Sequence, residues 1–293
     1  MSGSSRAPET DIILYTAGTP NGQKASITLE ELGLKYETVK VDISKNQQKE
    51  DWFLRINPNG RIPAIVDKTP TPENKNQEKR VFESGSLMLY LTDRYDPLYK
   101  LSYPHNTDRY WEVVEWLFWL NAGIGPMQGQ ANHFYRYAPE KIPYAITRYQ
   151  TETKRLYGVL EDRLEYMAEN NRTAGGTKAS HAGGVEHVNK EANEPGTQGP
   201  WIVGDRCTIA DLACFSWINW AEWAGVDVRE FGRVSDWLDR INARPAVQRG
   251  LDVPEPFEMK KKMQSKEGEE EYAKHHSQWV MQGQKADQEK HKG

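Results

Sequence analysis

The pattern of short strands and helices changes character near residue 100, and that change limits the chain to folds with two unlike halves. Up to Tyr95, apolar or alternating runs of β length exchange places with helix-length stretches. Residues 12–15 are such a run, and residues 24–32 have helical spacing that stops at Gly33, as at a C-cap. Residues 36–43 alternate apolar and polar positions with β-branched members, the mark of a half-buried strand. A short helix is expected at 51–56, a strand at 62–67, a hairpin-like loop at 69–79, a strand at 81–82 and a helix at 84–95. This β-α-β-α-β-β-α order builds a small mixed sheet with helices against it.

From about His105 no strand pattern remains. Residues 110–120 carry Trp111, Val114, Leu117 and Phe118 at helical spacing, and Pro126, in the Gly-Ile-Gly-Pro run, predicts a kink or break. A long helix over 142–168 presents Ile146, Tyr149, Leu156, Leu160 and Leu164 on one stripe, and further helices are expected at 209–224 and 234–243. The chain therefore divides into an α/β region at 11–97, an all-helical region at 105–257 and a charged tail at 258–293. Residues 170–199 are poor in apolar side chains and are expected to form a mobile surface insertion, dispensable for folding. In the tail, a helix at 269–281 either packs through Tyr272, Trp279 and Met281 or stays solvated.

Composition narrows the function. With 37% apolar residues, ten Trp and fourteen Tyr, the chain can bury a sizeable core. A net charge of −4 gives no basic face for nucleic acid. No apolar run reaches the length of a membrane span, and the polar first ten residues lack a signal-peptide core, so a cytoplasmic protein is expected. Cys207 and Cys214 are too few for a disulfide scaffold, and both lie in the helical region. A redox domain of the thioredoxin type would carry Cys-x-x-Cys after its first strand, where this chain reads Ala17-Gly18-Thr19-Pro20-Asn21-Gly22. Any thiol chemistry there needs a thiol that arrives with the ligand.

Several motifs in order carry a family resemblance. They are Thr19-Pro20-Asn21-Gly22-Gln23-Lys24, Asn57-Pro58-Asn59-Gly60-Arg61-Ile62-Pro63-Ala64, and Phe82-Glu83-Ser84-Gly85 in the first half. In the second half they are Gly125-Pro126-Met127-Gln128-Gly129-Gln130, Ile142-Pro143-Tyr144-Ala145, Trp201-Ile202-Val203-Gly204-Asp205, Thr208-Ile209-Ala210-Asp211 and Arg244-Pro245-Ala246-Val247. Over roughly residues 11–250 the chain resembles the glutathione transferases, in particular the bacterial Nu class and the transferase-like domain of the fungal nitrogen-catabolite regulator. The resemblance implies the glutathione transferase fold, a thioredoxin-like N-terminal domain plus an all-α C-terminal domain, and a homodimer. It also implies glutathione or glutathione disulfide as ligand, with no metal, no nucleic acid and no membrane partner.

The site residues follow from that resemblance. A cis Ile62-Pro63 bond would present the backbone of Ile62 to the ligand's main chain. Glu83 would take the γ-glutamyl ammonium, and Ser84, at a helix N-terminus, its carboxylate. Thr19 is the first choice for activating the thiol, with Asn21 contributing and orienting the ligand. Gln48, Arg61 and Arg148 complete the expected glutathione contacts, while Lys24 is expected to face solvent. Gln128, His133 and Phe134 are expected to line a pocket for the second substrate. Trp217, Trp220 and Trp223 read as core or interface, Thr208-x-x-Asp211 as a helix capping box, and both cysteines as inert. Three functions fit this frame: glutathione-dependent disulfide reduction, conjugation of glutathione to electrophiles, and glutathione binding without catalysis.

Overall fold

The computed structural model describes residues 9–70, 78–174 and 199–290. Most of the expected insertion and most of the expected hairpin loop lie outside the described residues. The first half runs β1 (Ile12–Thr16), α1 (Pro20–Glu31), β2 (Glu37–Lys40), α2 (Asp51–Leu54), β3 (Ala64–Asp67), β4 (Lys79–Phe82) and α3 (Ser84–Tyr95). The sheet order is β2-β1-β3-β4, with β1 parallel to β2 and antiparallel to β3, and β3 antiparallel to β4. Leu14 pairs with Ile65 in register. On one face Ile12, Leu14, Ile65 and Val81 pack with Ala25 and Leu29 of α1 and Leu87 and Leu91 of α3. The other face is covered by Val41, Phe53, Trp52 and Ile56. The α/β layer and its helical partner form the expected glutathione transferase fold.

Several boundaries differ from expectation, among them the ends of α6 at Ala174 and α7 at Ile218, and two differ for evident local reasons. α1 begins at Pro20 rather than Lys24, because Thr19 Oγ1 accepts the Gly22 N–H at 3.1 Å and proline suits the first helical position. The Thr-Pro-Asn-Gly segment is thus a helix start, not a separate turn. β2 ends at Lys40, where Asp42 caps a single 3₁₀ turn, Ile43–Lys45, by accepting the Ser44 N–H.

The second half is helical: α4 (Asp108–Trp119), α5 (Gly125–Asn132), α6 (Pro143–Ala174), α7 (Ile209–Ile218), α8 (Gly232–Asn242) and α9 (Pro245–Leu251). As expected, the helix is divided before Pro126, which stands in the first turn of α5. A widened π turn, Leu120–Ile124, links α4 to α5, with the Gly125 N–H reaching back to the Leu120 carbonyl. That turn accommodates the proline's missing donor. A second π turn, His133–Tyr137, follows α5. The core joins Leu117, Leu120, Leu160, Leu164, Phe215 and Trp237, and it takes in Ile27 and Met88 from the first half. The two halves therefore share one apolar interior.

The tail folds back as α10 (Met259–Lys262) and α11 (Lys266–Lys290). Met259 is buried beside Trp220 and Trp223, and the Tyr272 ring meets Trp223 edge-on at 5.1 Å. Arg136 pairs with Glu269, and α11 rests on His133–Tyr137 and Ile43–Lys45. Met281 is exposed, which corrects its expected packing, and the Trp279 side chain lies outside the described residues. Among the described residues no helix is long and apolar enough to cross a membrane.

Asp211 holds the start of α7. Its carboxylate accepts the N–H groups of Ile202 and Thr208, the Thr208 hydroxyl and the Trp237 indole, all between 2.9 and 3.0 Å. Asp211→Ala should strand these buried donors at about 1–3 kcal/mol each before relaxation. We expect a net loss of about 3–5 kcal/mol in denaturant unfolding. A loss below about 1 kcal/mol would contradict this role.

Candidate functional site

A cleft of about 870 Å³ opens where the first turn of α1, the segment before β3 and the start of α3 face α5 and the turn after it. From the sheet side it is lined by Thr19, Asn21, Gln48, Arg61, Ile62, Glu83 and Ser84. From the helical side come His133, Phe134, Tyr137, Trp217 and Trp220, and Val280 of α11 closes one edge.

The α1 end presents two donors. Thr19 Oγ1 is occupied as acceptor by Gly22, so its own O–H remains free to donate. Gly22 has to be glycine, since a Cβ there would lie 2.2 Å from the Ala17 carbonyl oxygen. Asn21 Oδ1 accepts the Trp217 indole N–H at 3.0 Å. An indole nitrogen is a donor only, so this bond fixes the amide and leaves the Asn21 NH₂ as the group available to the cleft. Both donors sit at the positive end of the α1 dipole.

The Ile62-Pro63 bond is cis, Ile62 borders the cleft and Pro63 is buried. Gln48 is buried, and its Oε1 has no hydrogen-bond partner although its Nε2 reaches Asn46 at 3.4 Å. An orphaned buried acceptor at a cleft wall is a ready partner for a ligand N–H. Glu83 adopts φ of 67°, a left-handed conformation unusual for a residue with a side chain, and its exposed carboxylate accepts from Asn59 at 3.2 Å. Such strain, on the order of 1–3 kcal/mol, concentrates at functional sites. Ser84 follows at the first position of α3, where free N–H groups favour an anion.

On the opposite wall, Phe134 stacks on Tyr149 with rings 5.5 Å apart and nearly parallel. Burial lowers the His133 pKa from its ordinary value, so the imidazole is neutral near pH 7. Burial pushes the Tyr137 phenol up to about 12, and its hydroxyl accepts the Trp223 indole N–H at 2.6 Å.

Three expectations are corrected. Gln128 does not line the cleft: it is fully buried, donating to the Trp217 carbonyl at 2.7 Å and accepting from Tyr157 at 2.7 Å. Its place in the helical repeat turns it inward to the core. Arg148 lies on the exposed face of α6, 3.9 Å from Glu152 one helical turn along, and lines no part of the cleft. Lys24 does not face solvent. It is fully buried, with Nζ 3.3 Å from Ser84 Oγ and 2.9 Å from Asn121 Oδ1. The sequence did not reveal Trp217 and Asn121 as site residues, because both reach the cleft from the helical half through tertiary packing.

Comparison with known proteins agrees with this architecture. Residues 10–93 match the glutathione S-transferase N-terminal domain and residues 184–245 the glutathione S-transferase C-terminal domain. The chain is 39% identical over 240 residues to the disulfide-bond oxidoreductase YfcG of Escherichia coli strain K12, covering 82% of this chain and 94% of that one. A crystal structure of a glutathione transferase homolog from Lodderomyces elongisporus, with two glutathione molecules per subunit, superimposes with a TM-score of 0.70. It shares 41% identity and covers 83% of this chain and 99% of its own. Ure2p in complex with glutathione superimposes with a TM-score of 0.68 at 31% identity, covering 84% and 95%. The chain belongs to the glutathione transferase family.

Trp217→Phe keeps an aromatic ring but releases the Asn21 amide. The lost bond is worth about 0.5–1.5 kcal/mol, which corresponds to up to about one pKa unit. The thiol of bound glutathione should therefore titrate higher by about half to one unit, read from thiolate absorbance. An unshifted titration in a folded variant would show that Asn21 orientation does not matter to the thiol.

Proposed function

We propose that this chain is a glutathione-dependent disulfide reductase whose reactive thiol belongs to the bound glutathione. One observation carries the reading: the cleft pairs the Thr19 hydroxyl and the Asn21 amide at a helix N-terminus, and no cysteine lines it among the described residues. Cys207 and Cys214 are buried, and burial pushes both thiols well above their ordinary range. Neither can serve as a ready nucleophile.

The γ-glutamyl carboxylate is assigned to Ser84 and the α3 N-terminus, and the ammonium to Glu83. The main chain of the cysteinyl unit is assigned to Ile62. Arg61, which lines the cleft, is assigned to the glycyl carboxylate, and Gln48 to a ligand N–H. A thiol of pKa about 8.5 is only about 3% ionised at pH 7. Lowering it by roughly two units takes about 2.7 kcal/mol. One charge-assisted bond from Thr19 supplies about 1.5–3 kcal/mol and the helix end about 0.3–1. Together they span about 1.8–4 kcal/mol, a range that brackets the requirement.

The thiolate then attacks one sulfur of a disulfide, forming a mixed disulfide with glutathione and expelling the other sulfur as a thiolate that takes up a proton. A second glutathione thiolate attacks the sulfur of the bound glutathione. It releases glutathione disulfide and the second product thiol. The cleft lies toward the upper end of the roughly 300–1,000 Å³ usual for small-molecule sites, which supports room for a second ligand. The name of the Escherichia coli relative favours the same chemistry. Conjugation to an aromatic electrophile is the second reading, favoured by Phe134, which lines the cleft and stacks on Tyr149. Pairing of two copies is proposed through the exposed Phe82, Trp111 and Phe118.

Steady-state assays with a disulfide and an aromatic halide, run side by side, test the reading. The Cys207→Ala, Cys214→Ala double variant should keep most of its disulfide activity. Near-complete loss in a folded double variant would assign the thiol to the protein. Thr19→Ala should leave glutathione affinity similar but raise the bound-thiol pKa by about one to two units. Ser84→Ala should do the reverse, weakening affinity with little change in that pKa.

A further inference from the structure

Lys24 lies one turn into α1, beneath the floor of the cleft, with 1% of its surface exposed. Its Nζ bridges Ser84 Oγ at 3.3 Å and Asn121 Oδ1 at 2.9 Å. Asn121 fits there because residue 85 is glycine: a Cβ on Gly85 would lie 2.2 Å from Asn121 Nδ2. The bridge is thus built from α1, α3 and the turn after α4.

An ammonium only donates, so a charged Lys24 makes Ser84 Oγ the acceptor and leaves the Ser84 proton for another partner. A neutral amine has a lone pair and can instead accept that proton, turning the hydroxyl away from the cleft. Two other titratable groups act on the amine. The Glu83 carboxylate, beside Ser84, favours the charged form. Cys214 faces it from α7, but burial keeps that thiol protonated. Across the cleft, His133 is neutral above pH 7. Burial, the largest influence, lowers the Lys24 pKa to about 7.

We propose that Lys24 is a positioning residue for the α-carboxylate of the ligand: its buried ammonium aims the Ser84 hydroxyl outward and sets a positive charge behind the anion. This rests on the assignment of the γ-glutamyl carboxylate to Ser84. The carboxylate in turn stabilises the ammonium, so the Lys24 pKa rises on binding and the complex takes up a proton between pH 7 and the new, higher pKa. Affinity must then fall as pH rises through that window, opposite to the trend that an ionising thiol imposes.

Calorimetric titration of the full chain with S-methylglutathione, which has no thiol to ionise, separates these trends. For the wild type we expect affinity to drop about tenfold from pH 6.5 to 8.5, with up to one proton taken up per ligand near pH 8, measured in buffers of differing ionisation enthalpy. Lys24→Met should weaken binding about tenfold or more at pH 6.5 and bind with a flatter pH profile and clearly less proton uptake than the wild type. Titration of the ligand's own ammonium is common to both proteins and cancels in the comparison. Wild-type binding with no proton uptake at about pH 7–7.5, well below the range in which the ligand's own ammonium titrates, overturns the proposal whether or not the variant folds. So does a Lys24→Met variant with the wild-type pH profile. Failure of the wild type to bind S-methylglutathione at pH 6.5 would instead overturn the glutathione site itself, and this proposal with it.

Discussion

The burial of α1 between two layers is the constraint on which the rest of the structure depends. One side of the helix, through Ala25 and Leu29, packs on the sheet, and another, through Ile27, enters the helical core. Nearly every residue from Gly22 to Glu31 is buried, including Gln23, Lys24, Ser26 and Thr28. Buried polar groups are costly unless paired, and each of these side chains makes at least one hydrogen bond, although the Gln23 Nε2 has none. Gln23 accepts the Trp220 indole N–H at 3.0 Å, Ser26 donates to the Gly250 carbonyl at 2.6 Å, and Thr28 donates to the Lys24 carbonyl at 2.7 Å. Arg244 closes the far end on Glu31 at 2.6 and 2.7 Å. These bonds run mostly from the helical half into α1 and tie it to that half.

The chemistry of the cleft inherits its precision from that clamp. Trp217 and Trp220 hold consecutive polar residues of the first turn of α1, so the end of the helix that faces the ligand is fixed from outside its own domain. For the proposed activation of a bound thiol, donors that do not reorient during reaction are an advantage. α11 adds a further wall by resting on both Ile43–Lys45 and His133–Tyr137, two segments that each contribute to the lining of the cleft.

Much of this was legible in the sequence. The switch from mixed to purely helical periodicity gave the two-domain order, and the expected helix over 84–95 coincides with α3. The cis Ile62-Pro63 bond, the capping box at Thr208 and Asp211, and the convergence of Thr19, Asn21, Gln48, Arg61 and Ser84 on one cleft were also expected. What escaped was set by tertiary contact. A lysine in a helix looks solvent-facing until a second domain covers it, and Lys24 is covered on every side. Gln128 and Arg148 sit on helices whose rotation is decided by the core, which turns one inward and the other out to solvent. Pro126 was expected to kink or divide a helix, and the helix does divide there; only the π turn that joins the two pieces is a backbone adjustment that residue types do not announce.

The central claim is that the protein supplies the field and the ligand supplies the thiol. Its most direct test is the pKa of the glutathione thiol bound to the wild-type chain, followed by thiolate absorbance from pH 5 to 10. The account predicts a value roughly two units below the free thiol's, on the order of 6.5. A bound thiol that still titrates near 8.5 would contradict it.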